Sequence, residues 1–383
     1  MSAVLTSNKA VENHIKPISI GDIKSLFELS DCACRHTVEE FTALVRDVQE
    51  FKAKRELYLS AGKLQSACLS GSVNSDGLQA MVYNIAENHS LLSTRNKPIE
   101  SFGQKIDKLW EEQVERQTGQ LATIPMHIDI LNEYTELEAG ELVIVGAASK
   151  VGKSAFLLSA TVDLLKRGLA ILVIDSELSD RLYMLRLIAH VSKVPFKTVK
   201  DGNGTPEQIE RINTARKWIK QQKLYHEYLP MFSESELMAT FRRVNCINKV
   251  DCLVIDYFKI TEGSDAFDVS LRLSGIVNTA KNAIAGEFSI PVLSAIQTTE
   301  NGSVALSKGV VRYCSTLFTM RRKTNEEFNA DGGAEFGNTY ISCPINRNGR
   351  QMNSEEERIS IQFDGDTCTY CAANKQPAVV VPY

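Results

Sequence analysis

Between residues 38 and 64 the apolar positions recur three and four apart. Phe41, Leu44, Val45, Val48 and Phe51 share one face, which predicts an amphipathic helix. Thr37, with Glu40 three residues later, is a capping-box signature for its start. The Gly/Ser/Asn cluster at 70–77 predicts a turn, and residues 78–90 a second helix. Residues 1–97 therefore read as an all-helical N-terminal domain built on a hairpin, with packing or assembly as its role. From 98 to 118 the stripe Ile106, Leu109, Trp110 and Val114 sits among Lys, Glu, Gln and Arg. Such a linker helix must bury its stripe, either on its own domain or on a neighbouring subunit.

From residue 119 the pattern changes to short continuous apolar runs alternating with helical stretches. The runs 141–145, 170–174, 252–255 and 290–294 are rich in Val, Ile and Leu, as strands of a parallel sheet covered on both faces are. Helices are predicted over 155–167, 181–191, 206–222 and 270–286, and shorter strands over 338–344, 358–363 and 367–372. Residues 119–383 thus read as one α/β domain with a parallel-core sheet.

Composition narrows the classes. The chain has 383 residues, 43% hydrophobic and 23% charged, an ordinary balance for a globular protein. It contains no apolar run long enough to span a membrane and no export signal at its start, so no membrane partner is expected. Its nine cysteines are an odd number and do not form a disulfide framework, which points to a cytoplasmic location. The pair Cys368 and Cys371 lacks a second pair at zinc spacing. A formal charge of −4 excludes a uniformly basic coat for nucleic acid but leaves room for a local basic channel.

Candidate chemistry lies at the ends of the predicted strands. Gly146-Ala147-Ala148-Ser149-Lys150-Val151-Gly152-Lys153-Ser154 follows strand 141–145 and precedes the helix that begins at Ala155. Five residues separate Gly146 from Gly152, one more than in the standard phosphate loop. In that context loop amides and a helix N-terminus cradle phosphates. Lys153 would reach the β- and γ-phosphates of ATP and Ser154 would hold Mg²⁺. Asp256 ends strand 252–255, where a parallel sheet binds ligands, and fits a second Mg²⁺ contact. Asp175 and Glu177 follow strand 170–174, and Glu177 is the better placed to polarise water. Gln297 ends strand 290–296, and its amide could sense the γ-phosphate.

In this order the motifs resemble those of DnaB-type replicative hexameric helicases, whose motor is a RecA-like P-loop ATPase domain. Asp175-Ser176-Glu177-Leu178, with Arg186 nine residues after the Glu, is similar to that family's Ser-Leu-Glu-Met stretch and its downstream Arg. Asp251 to Tyr257 resembles its Walker B strand, Ser294 to Gln297 its Ser-Gln sensor, and Asn346-Arg347-Asn348-Gly349 its Gln-Arg-Asn-Gly segment. The resemblance implies a homohexameric ring moving 5′ to 3′ on single-stranded DNA, with Arg347 completing the neighbouring subunit's ATP site and the linker helix docking on the next subunit. It also implies channel loops after Asp256 and Gln297, with Lys308, Arg312 and Arg272 as DNA contacts, and a primase and a helicase loader as partners. A phage-encoded member of this kind would work in the host cytoplasm. Three departures stand out. Ile345 occupies the position of a family Lys. Arg312-Tyr313-Cys314-Ser315 replaces acidic residues common in relatives. The stretch before residue 40 is short for the family's full N-terminal domain. The alternatives are a RecA-like ATPase that remodels a partner without unwinding, and a helicase loader.

Overall fold

A computed structural model describes residues 38–71, 73–74, 77–78, 81–82, 84–85, 101–117, 124–256, 266–298, 308–352 and 357–376. Residues 1–37, most of the expected second helix, and residues 257–265 and 299–307, which take in parts of the expected channel loops (roughly 261–272 and 298–312), lie outside the described residues, as does the side chain of Lys308. The chain divides into two compact units, Met1–Lys105 and Ile106–Tyr383.

In the first unit, α1 (Val38–Ser70) is a single 33-residue helix, longer than the predicted run. It stops at Gly71, whose φ of 59° is the left-handed conformation that closes helices and favours glycine. The predicted turn follows. Asn74 accepts the Gly77 N–H through its side chain at 2.9 Å, and helical residues resume at 77–78. The linker helix α2 (Phe102–Gln117) covers the stretch its periodicity indicated, and Leu109 and Trp110 are exposed.

The second unit is an α/β domain. Its elements in order are β1 (Leu142–Ala147), α3 (Lys153–Lys166), β2 (Ile171–Asp175), α4 (Asp180–Ser192), α5 (Phe196–Asp201), α6 (Pro206–Ile219), β3 (Leu224–Tyr228), α7 (Glu234–Ile247) and β4 (Cys252–Asp256). There follow α8 (Ala266–Asn278), which continues as a π-helix over Thr279–Gly286, then β5 (Val292–Gln297), α9 (Lys308–Tyr313), β6 (Thr316–Arg322), α10 (Asn325–Ala330), β7 (Thr339–Asn346), β8 (Ile359–Asp364) and β9 (Thr369–Ala372). One nine-stranded sheet runs in the order β3-β2-β4-β5-β1-β6-β7-β8-β9. The first six strands are mutually parallel, and the last three turn antiparallel as hairpins.

Every residue of β1, β2 and β4 is buried, so these strands have a core on each face. Because side chains alternate, Val143, Val145, Val173 and Val254 point into one layer with α3 and α4. Leu142, Ile144, Leu172 and Leu253 point into the other layer, with α7 and α8. Helix starts obey local chemistry. Thr205 with Gln208 and Ser233 with Glu236 form complete capping boxes at α6 and α7.

Six of these elements were not read from the sequence: β3, α5, α7, α9, β6 and α10. The helix predicted over 206–222 ends at Ile219, and Leu224–Tyr228 turns into an edge strand with only half-buried or exposed residues. That exposure hides the apolar run expected of a parallel strand.

Candidate nucleotide site

The sheet register brings the candidate residues together. Asp175 of β2 stands opposite Asp256 of β4, Ile255 opposite Ser294 of β5, and Gln297 opposite Ala147 of β1. The C-terminal ends of four adjacent parallel strands therefore present Asp175, Asp256, Gln297 and the glycine loop side by side. This is the crevice in which open parallel sheets bind ligands.

The loop is shaped by two residues with positive φ, Lys150 at 64° and Gly152 at 114°. Gly152 is the cap of α3, and a Cβ there would lie 3.1 Å from the Tyr370 ring and 3.3 Å from that of Phe363. Only glycine satisfies both the backbone angle and that close approach. The Tyr370 hydroxyl donates to the Val151 carbonyl at 2.8 Å, so the β8–β9 hairpin holds the loop from outside. Phe363 packs on Tyr370 at 4.7 Å, and the Arg322 guanidinium covers Phe363 at 4.0 Å. Gly146 approaches β5 closely, Ser149 and Lys150 are exposed or nearly so, and Ala155 is buried in the first turn of α3.

Lys153 donates to the carbonyls of Ala147 and Ala148 at 3.0 and 3.1 Å. Burial lowers its pKa, against the raising effect of the Glu177 and Asp256 carboxylates. The Ser154 hydroxyl donates to Asp256 Oδ1 at 3.2 Å. Burial, reinforced by the neighbouring charges of Asp175 and Glu177, pushes the Asp256 carboxyl up to about 7, although Ser154 and Arg186 oppose the shift. An acid under that pressure is one that a cation would relieve, so Ser154 and Asp256 fit a Mg²⁺ site. Arg186 of α4 lines one small pocket with Ser154, Thr161, Leu178, Tyr183 and Asp256.

Glu177 is exposed in the turn between β2 and α4. Asp175 fixes that turn, its Oδ1 accepting the N–H of Glu177 at 2.8 Å and of Leu178 at 2.6 Å. The Ser176 hydroxyl ties the turn to the Asp256 carbonyl at 3.1 Å.

Other expected residues lie elsewhere. Arg347 follows β7, where Asn346 pairs with Thr316 at the start of β6, and Thr316 pairs with Val143 at the start of β1. Val143 precedes Ala147 by four residues, about 13 Å of strand, so Arg347 and its own chain's loop lie towards opposite ends of the sheet. The Arg347 guanidinium instead donates to the Arg312 carbonyl. Arg312 and Arg272 are both exposed. Sequence reasoning missed Tyr370, Phe363 and Arg322. They act on the loop from roughly two hundred residues away and carry no local motif.

Residues 123–303 match the model of the DnaB-like helicase C terminal domain. Among curated proteins, the replicative DNA helicase DnaB of Geobacillus stearothermophilus is 24% identical over 73% of this chain and 62% of its own length. That of Helicobacter pylori strain 26695 is 22% identical over 74% of this chain and 57% of its own length. The chain therefore spans about three fifths of the curated relatives it matches. Among solved structures, one protein's ATPase domain superposes with a TM-score of 0.62 at 15% identity, covering 72% of this chain and 99% of that one. A DnaB-like replicative helicase, described with its interactions with primase, gives 0.59 at 14% identity over 95% of this chain and 86% of that one. Residues 123–303 thus resemble the DnaB-like helicase C terminal domain, and the fold of the chain is shared with solved DnaB-like helicase structures.

Proposed function

We propose that this chain is an ATP-dependent replicative DNA helicase that moves as a ring along single-stranded DNA and unwinds duplex at a fork. The observation that carries the reading is the joining of Lys153, Ser154, Asp256 and Glu177 at the ends of adjacent parallel strands, beside a loop whose backbone only glycine fits. Lys153 and the amides of 149–155 bind the phosphates of ATP. Ser154 and Asp256 would hold Mg²⁺, which when bound neutralises phosphate charge. Glu177 positions and deprotonates the attacking water, and Gln297 senses the γ-phosphate at the mouth of the loop that follows it.

Two features support assembly. Arg347 lies far from its own chain's loop, as a residue that completes a neighbour's site must. The apolar residues Leu109 and Trp110 of α2 are exposed, and a neighbouring subunit would cover them. Arg312 and Arg272, with Lys308, are the residues we assign to the DNA path. One structural relative is described with a primase, and a primase and a loader are the partners this reading gives the chain here.

The test is hydrolysis and unwinding of a forked duplex by the wild type and by Lys153→Ala. The variant should lose at least about a hundredfold in turnover while assembling normally. Wild-type turnover from Lys153→Ala would overturn the loop assignment. DNA-stimulated hydrolysis without strand separation would favour the remodelling ATPase instead.

A further inference from the structure

The turn that carries Glu177 is braced from the sheet edge by a residue the mechanism above does not use. His226 is the third residue of the edge strand β3, opposite Val173 of β2. Its Nδ1 lies 2.8 Å from Oδ1 of Asp180, the first residue of α4. Its Nε2 lies 3.7 Å from Oδ2 of Asp175, an ion-pair distance beyond a hydrogen bond. Both of those atoms are buried and neither has a hydrogen-bond partner. The ring stacks on Tyr183 at 4.2 Å and 24°, and Tyr183 lines the pocket with Ser154, Arg186 and Asp256. One imidazole therefore faces both ends of the 176–179 turn: the carboxylate that accepts the Glu177 and Leu178 amides, and the first residue of the helix beyond.

From this geometry we infer that His226 is a positioning residue for Glu177, holding the Asp175 carboxylate and the start of α4 so that the Glu177 turn keeps one conformation. The inference rests on the reading of Glu177 as the group that activates water. The chemistry is specific. A fully buried carboxylate that spends one oxygen on two amides needs a donor for the other, or it swings away and releases them. His226 Nε2 faces that oxygen, and with Nδ1 already against the Asp180 carboxylate it donates there when the ring carries a proton on both nitrogens. The 3.7 Å gap is short enough to close by a small ring movement once ATP orders the site, as catalytic hydrogen bonds commonly tighten in the substrate complex. Edge placement fits the role, because β3 reaches the turn from the side opposite Asp256 and leaves the phosphate side open.

Three variants of the full chain separate positioning from mere packing. His226→Ala should lower kcat by about ten- to a hundredfold, with KM and the Kd for a fluorescent ATP analogue within about twofold. His226→Gln, whose amide nitrogen can stand where Nε2 stands, should recover most of the rate. His226→Asn, which imitates only Nδ1, should recover less. Because His226 acts through Glu177, adding His226→Ala to Glu177→Gln should cost no further rate in single turnover. Hydrogen–deuterium exchange of the peptide spanning 175–180 reads the brace without any need for activity. Exchange at the Glu177 and Leu178 amides should quicken in His226→Ala and return towards wild type in His226→Gln. Unchanged exchange overturns the proposal whatever the kinetics, and so does an undiminished rate loss in the Glu177→Gln background. Wild-type turnover by Glu177→Gln would remove the base assignment instead, and the exchange measurement would then decide the brace alone.

Discussion

At the scale of single residues, the glycine loop is tightly constrained. Gly152 combines a φ of 114° with aromatic atoms of Tyr370 and Phe363 just over 3 Å from where a Cβ would stand. Gly152→Ala should therefore cost about 1–3 kcal/mol of stability through backbone strain alone. It should also abolish nucleotide binding, since relief of the clash must move either the loop or the β8–β9 hairpin. A melting curve together with a nucleotide titration checks both parts, and an alanine variant that binds ATP normally would show the loop to be tolerant. Tyr370→Phe is the milder companion. It removes only the hydroxyl that binds the Val151 carbonyl, and should cost about 1 kcal/mol with little change in turnover. The loop residues Lys153 and Ser154 were legible because their meaning is local: a short run of consecutive residues between a strand and a helix. Their clamp was not legible, because Tyr370 and Phe363 reach the loop through the order of strands in space, which no local spacing encodes.

At the scale of elements, the same division holds. The strands buried on both faces, β1, β2, β4 and β5, show as continuous apolar runs, and the acids at their ends could be named from that pattern. The edge strand β3 reads Leu224-Tyr225-His226-Glu227-Tyr228, half polar because one side of it meets water, and it escaped notice together with its His226. Strand β6 ends in Met320-Arg321-Arg322, whose cations lie over the rings of Tyr340 and Phe363, so its charges masked a core strand. A prediction about how elements pack follows from two histidines. His127, before the short 3-10 helix at 129–133, sets its ring edge against Phe156 of α3 at 4.5 Å, with both ring nitrogens buried and without hydrogen-bond partners. Burial, with a smaller contribution from His190, lowers its pKa to about 3. Burial, then the charge of Lys193, lowers that of His190 in α4 to about 4. Both folded values lie below the ordinary 6.5 of the unfolded chain. The unfolded state therefore binds more protons below pH 6.5, and stability falls as the pH drops from there towards 4. Each site should contribute up to about 1.4 kcal/mol per pH unit. Melting temperatures measured between about pH 8 and pH 5 should carry this acid slope, opposed by Asp256, whose raised folded pKa makes the native state bind a proton below about 7. His127→Phe, which keeps the edge-on ring contact, should be neutral or stabilising near neutral pH and should shallow the acid slope. An unchanged slope in that variant would mean that the acid lability arises elsewhere.

At the scale of the whole molecule, Arg347 and the glycine loop lie towards opposite ends of one sheet, separated along β1 by about 13 Å. On the reading proposed above, a second copy of the chain supplies Arg347 as the cation that phosphoryl-transfer sites place against the leaving charge. If so, activity belongs to the assembly rather than the chain. Mass photometry should show a species near six times the chain mass of 42.5 kDa with ATP, Mg²⁺ and a single-stranded oligonucleotide. Arg347→Ala should assemble normally and bind nucleotide normally, yet lose roughly a thousandfold in turnover when pure. In mixed rings each variant subunit disables its neighbour's site, not its own. DNA unwinding, which needs successive subunits to fire, should then fall as a high power of the wild-type fraction. Lys153→Ala makes the internal comparison, since it silences its own site only. A ring built from Lys153→Ala and Arg347→Ala subunits should recover hydrolysis where a wild-type loop meets a wild-type arginine, which neither pure variant contains. That recovery is out of reach for any mechanism confined to one chain. Its absence in stable mixed rings, with a linear loss of activity on mixing, would place the finger on another residue and return Arg347 to its contact with the Arg312 carbonyl.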